Sequence, residues 1–198
     1  DIVGYTALMG KNETKALEVL KINLEIHKTL IERLNGSLIK EIGDGILASF
    51  NSSYEAVLCA VEIQRETSME NISLRIGIHE GEVIFEASDI LGDGVNIASR
   101  LEALAPANAI VISEAVHKNI KNKPGLNTEF IEEKVLKNVS EPVRIYKVIY
   151  DAMEGEVHGQ NPAQQKKRRA RLPYYLGIIL LIMLATSIVI WVYKIRPS

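Results

Sequence analysis

The chain has 198 residues, 47% of them hydrophobic and 24% charged, enough to bury one full core with a smaller element besides. Its single cysteine, Cys59, excludes an internal disulfide framework and suits a reducing compartment, where the thiol acts as a small buried hydrophobe. The formal net charge of −2 conceals an asymmetry: residues 1–150 hold 16 Lys/Arg against 22 Asp/Glu and residues 151–198 hold seven against three, so the globular part is acidic, which argues against a nucleic-acid binder.

In chain order, "DIVGYT" comes first, with Gly4 allowing close backbone approach and Thr6 able to cap the turn that follows. The spacing of Leu17, Leu20, Leu24, Ile31 and Leu34 predicts a helix over 12–34, capped by Asn12 or Thr14 and closed at Gly36. "IKEIGDGILASF", residues 39–50, predicts two strands joined at Gly43-Asp44-Gly45, because Asp and Gly tolerate the positive φ of a tight turn. On this stretch alone, Asp44 is either a turn residue or a ligand. A second helix runs from Ser53 to about Thr67 with Ala56, Ala60 and Ile63 inward. "ISLRIGIHEGEVIF" (72–85) reads as two strands around His79-Glu80-Gly81, and a third helix starts at Asp93 and continues to Ala105. Strands follow at 109–112, 128–134 and 143–149. Helices returning the chain to a sheet made largely of hairpins predict an α+β sandwich with helices on one face, most simply a βαββαβ, ferredoxin-like core.

Residues 151–171 read as a polar linker ending in the basic run "QKKRRAR". The uncharged run that follows, residues 172–193, would span about 33 Å as a helix, enough for a bilayer core. Tyr174, Tyr175, Trp191 and Tyr193 fall at its two ends, where amphipathic rings prefer the interface. Five bases precede this run and only Lys194 and Arg196 follow it, so a single-pass span is expected, with residues 1–171 cytoplasmic and 194–198 a short extracytoplasmic tail.

Several polar residues exceed what such a fold needs. Asp1 and Asp44 fall at neighbouring strand ends, where two carboxylates could hold hard divalent cations bridging a triphosphate, although Asp1 also reads as an exposed chain end. The amides of Gly4, Tyr5 and Thr6, at a turn or helix start, could hold phosphate oxygens. Asn96 and Arg100 are four apart and share one helical face, which suits either ribose and phosphoryl recognition or plain solvation.

Taken in order, "DIVGYT", "KEIGDGILASF", "LRIGIHEGEV" and "DILGDGVNIASRLEALA" closely resemble the catalytic domain of the class III adenylyl and guanylyl cyclases, over about residues 1–150. The resemblance implies that Asp1 and Asp44 bind two Mg²⁺ or Mn²⁺ ions, with the Ile2 carbonyl a further ligand. It implies that Arg75 contacts phosphate, that Asn96 and Arg100 orient the ribose and stabilise the transition state, and that Lys137, in "VLKNVSEPVRIY", binds phosphate. Lys40 and Asp89 match the base-reading positions of adenylyl cyclases, because lysine can donate to adenine N1 and aspartate can accept from the 6-amino group. The implied substrate is therefore ATP, and the implied assembly a head-to-tail homodimer with sites shared between subunits. The family's first strand begins several residues before the first aspartate, so an upstream strand is expected. A guanylyl cyclase and a catalytically silent, membrane-tethered cyclase-like module are the alternatives.

Overall fold

The structure, a computed structural model, describes residues 1–86, 89–137, 139 and 141–150, with backbone alone at 85, 86, 89 and 91. The expected linker, membrane span and tail lie outside the described residues. Among the described residues no helix is long and apolar enough to cross a membrane.

The elements run α1 (Tyr5–Lys11), α2 (Glu13–Arg33), β1 (Gly36–Ile42), β2 (Gly45–Phe50), α3 (Ser53–Met69), β3 (Arg75–Ile78), β4 (Ile84–Glu86), β5 (Asp89–Leu91), α4 (Asp93–Leu104), β6 (Ala109–Ser113), α5 (Glu114–Ile120), β7 (Asn127–Lys134) and β8 (Val143–Ile149). The main sheet has the order β3-β6-β8-β7, with β1-β2 and β4-β5 as separate hairpins. Extended residues 1–3 reach the edge of β3 through a single antiparallel bridge, Ile2 to Leu74. They stand where a βαββαβ core has its first strand, so the α+β expectation holds, with that strand reduced to one bridge.

Local chemistry sets the boundaries. The Asn12 side chain accepts from the Lys15 amide at 3.0 Å and caps α2. Asn35, at φ 58°, ends that helix instead of the expected Gly36, which lies inside β1 beneath the Phe50 ring. The buried stripe of α2 holds Ala16, Asn23, His27, Leu30 and Ile31, whereas Leu17 is 51% exposed. Cys59 is buried and unpaired, as expected, and burial pushes its thiol up to about 11.

Two expectations about the sheet are corrected. Strands β3 and β4 do not pair with each other: β3 runs parallel to β6 through the α4 crossover, and β4 pairs with β5. Helices also cover both faces. Ile110, Ile112, Tyr146 and Val148 meet α3 and α5 on one side, whereas Val111 and Ile145 meet Ile97 and Leu101 of α4 on the other. The reason is legible in β6 itself: "AIVIS" is buried at all five positions, and a strand apolar on both faces needs cover on both.

Gly77 in β3 makes the second layer possible. A Cβ built there would lie 2.2 Å from the Glu102 amide nitrogen and 2.4 Å from the Ala98 carbonyl oxygen, so α4 rests directly on the strand backbone. Between β3 and β2 lies a cavity of about 340 Å³, lined by Ile46, Ala48, Ile63 and Ile76, with Asp1 and the α4 residues Ala98 and Glu102 also in its wall.

Candidate active site

The opening "DIVG" and the hairpin turn meet at the edge of β3. Ile42 pairs with Gly45, leaving a two-residue turn whose left-handed position is Gly43, at φ 65°. Asp44 is therefore relieved of the special backbone angle, and its Oδ2 accepts the Ile2 amide at 3.2 Å. The backbone of Asp1 is fixed on both sides: its carbonyl accepts from the Arg75 amide at 2.9 Å, and its α-amino group donates to the Arg75 carbonyl at 3.1 Å.

The side chains continue this junction. The Arg75 Nη2 pairs with Asp1 Oδ2, and its Nε faces Glu102 Oε1 at 3.1 Å, both of those latter atoms being out of solvent contact. Arg75 thus links Asp1 to Glu102, and Asp44 stands across Ile2 from Asp1.

This donor set fits a hard divalent cation. Among the described residues no group of three or more His, Cys, Asp or Glu side chains is arranged for a metal. Mg²⁺ and Mn²⁺ need no such group, because one or two carboxylates suffice when waters and substrate phosphates complete the shell. Asp1 and Asp44 flank Ile2, whose carbonyl accepts only a long bond from the Tyr5 amide, at 3.4 Å, and so keeps lone-pair capacity for a cation. Beside it, Gly4 sits at φ 76° with open space around its Cβ position, so the backbone angle and not crowding calls for glycine there.

The remaining predicted residues lie elsewhere. Asn96 and Arg100 are exposed on α4, about 120° and about 160° around the helix from Glu102 by the shorter arc. They therefore face away from the carboxylates on which the other side of the helix bears. Lys40 is half-buried in β1, opposite Leu47 and next to a bulge at Ile39. Strand β5, which opens with Asp89, lies beside β1, while the Asp89 side chain is outside what is described. Lys137 is exposed in the connection between β7 and β8.

Sequence reasoning missed Glu102. A glutamate in "SRLEALA" reads as one more charge on a solvated face. Its signal is positional, since Glu102 follows Ala98 by four residues on the side turned toward β3, where a charge needs a partner.

The model of the adenylate and guanylate cyclase catalytic domain matches residues 1–148. The chain belongs to this family. Among curated relatives, "Putative adenylate cyclase 3" of Rhizobium meliloti is 33% identical over 155 residues, covering 74% of this chain and 26% of its own length. An adenylate cyclase of Anabaena cylindrica is 28% identical over 181 residues, covering 75% and 35%. The cyclase chain thus spans only about a quarter to a third of the curated relatives it matches. Among solved structures, an adenylate/guanylate cyclase/hydrolase from Silicibacter pomeroyi superposes with a TM-score of 0.67 at 31% identity, covering 76% of this chain and 93% of that one. The adenylyl cyclase CyaB from P. aeruginosa, at 23% identity and a TM-score of 0.68 over 76% and 91%, shares the fold.

Proposed function

We propose that this cyclase domain converts ATP to 3′,5′-cyclic AMP and pyrophosphate. The observation that carries the proposal is the junction of Asp1 and Asp44 on either side of Ile2, with the Arg75 guanidinium beside them. Asp1, Asp44 and the Ile2 carbonyl would hold two Mg²⁺ or Mn²⁺ ions. When bound, these supply Lewis-acid activation of the ribose 3′-hydroxyl and charge neutralisation on the triphosphate. The 3′-oxygen forms a bond to the α-phosphorus as the bond to the bridging β-phosphate oxygen breaks, and pyrophosphate leaves.

The protein's own groups bind and orient. Arg75, the Gly4-Tyr5-Thr6 amides and Lys137 receive phosphate oxygens. Lys40 and Asp89 read the adenine edge, a pattern that guanine would reverse. Asn96 orients the ribose, and Arg100 stabilises charge on the transferring phosphoryl group. Because Asn96 and Arg100 face away from the carboxylates of their own chain, the reading requires a second copy, arranged head to tail so that two equivalent sites form. Names given to the relatives favour ATP over GTP.

The groove between β2 and β3 supports the expected first strand, because the ladder begun at Ile2 and Leu74 would continue along Arg75–Ile78 into that apolar space. Residues 172–193 are proposed as a single membrane span that tethers the catalytic domain to the cytoplasmic face. Retention of the full chain in the membrane pellet after alkaline extraction is the expected result, and release would remove the tether.

The deciding experiment incubates the purified protein with ATP or GTP and Mn²⁺, beside Asp44→Ala. Cyclic AMP from the parent alone is expected. Cyclic GMP formed from GTP in preference would mean a guanylyl cyclase, and no product from a folded dimer would mean a silent module.

A further inference from the structure

Glu102 has no role in the reaction described above, yet its side chain is paired with one that has. Its side chain is 25% exposed and that of Arg75 is 35% exposed, and the facing atoms, Oε1 and Nε, are fully shielded from water at 3.1 Å. Among the described residues neither atom makes a hydrogen bond, so the charge contact between them is what offsets the burial of both. The pair exists because α4 sits directly on Gly77, two residues along from Arg75, with the Glu102 backbone at the contact. At the opposite end of the guanidinium, Nη2 is spent on Asp1.

From this geometry we infer that Glu102 is a positioning residue for the metal site. It stands at the Nε edge of Arg75, so the guanidinium is shared between two carboxylates, with Nη2 on Asp1. Sharing matters for the chemistry. A guanidinium committed to Asp1 alone would compete with an incoming cation for that carboxylate. One already balanced by Glu102 yields Asp1 to the metal and remains beside it to meet the phosphates. The inference rests on the proposed reading of Asp1 as a metal ligand.

The test is Mn²⁺ binding to the purified, nucleotide-free protein, followed by electron paramagnetic resonance, for the parent, Asp44→Asn, Glu102→Gln, Glu102→Asp, Arg75→Gln and the Arg75→Gln/Glu102→Gln pair. Glu102→Gln is expected to weaken Mn²⁺ about tenfold with the fold retained, and Glu102→Asp to recover part of that loss. In the Arg75→Gln background the same change is expected to have no further effect, because Glu102 acts through the arginine. The Arg75 Nε–H should also exchange faster with solvent in Glu102→Gln. Equal Mn²⁺ affinity for parent and Glu102→Gln would overturn the inference, as would a loss of stability alone or an undiminished effect without Arg75. If Asp44→Asn also leaves Mn²⁺ binding unchanged, it is the metal reading itself that fails. Loss in Asp44→Asn with no change in Glu102→Gln sinks the role of Glu102 only.

Discussion

The two groups of charged residues in this cyclase domain have opposite surroundings. Asp1, Asp44 and Arg75 are fixed by contacts within the chain: a hairpin turn, the edge of β3 and a glutamate on α4 hold them. Asn96 and Arg100 stand on the exposed face of the same helix, turned away from that cluster. In the proposed reaction, one chain therefore finishes the cation-binding half and displays the other half outward. The difference teaches that intrachain packing prepares the carboxylates, which must be close together at a cost in repulsion, whereas a guanidinium destined for a partner's substrate needs only a rigid helix beneath it.

The strongest way to break this comparison is to damage each half separately. Asp44→Ala is expected to reduce cyclic AMP formation to background while leaving the melting temperature near that of the parent. Arg100→Ala should lower kcat about a thousandfold and leave Mn²⁺ affinity unchanged. Mixing the two inactive variants should restore activity, since one intact site forms per mixed dimer, and failure of the mixture to recover would remove the shared-site arrangement. A smaller effect is expected for base choice: Lys40→Glu with Asp89→Cys should shift the ratio of kcat/KM from ATP toward GTP by about a hundredfold, read from competition between the two nucleotides.

Stability probes sharpen the comparison further. Gly77→Ala pushes the α4 backbone off β3 and should cost about 3 kcal/mol, with loss of activity, in urea titrations. It damages both halves together because α4 carries one and anchors the other. His27 tests the packed half alone. It is buried in α2, lines the groove beside Asp1, and donates from Nδ1 to the Asn23 carbonyl at 2.8 Å. Burial lowers its pKa to about 4, the Asn23 bond opposing the shift. The unfolded chain, titrating near 6.5, takes up a proton that the folded chain refuses until about pH 4, so stability present above pH 6.5 falls as the pH drops through that window. The loss should reach about 2 kcal/mol at pH 5, and His27→Leu should flatten that part of the profile.

Much of this was legible in the sequence. The Asp-Gly hairpin, the helix from Asp93 and the apolar strand at 109–113 carry strong local periodicity, and the ordered motifs pointed to Asp1 and Asp44 together. What was hidden depends on contacts distant in sequence. The parallel pairing of β3 with β6 needs a crossover that "GIHEGEV" disguises as a hairpin. Helices α1 and α5, at seven residues each, are too short to show a periodic stripe. The role of Glu102 follows from a glycine 25 residues earlier, and no local pattern links the two.

The division of labour in the hairpin turn has one more consequence. Gly43 alone meets the demand for a left-handed backbone, so any L-residue can stand at position 44 at the expense of one hydrogen bond to Ile2. Folding and catalysis are thus decoupled at adjacent positions. A gene duplicate could exchange Asp44 and become a scaffold that still assembles with its active sibling, lending its exposed Arg100 while contributing no chemistry at its own carboxylates. The architecture makes the descent from enzyme to regulator a matter of one substitution.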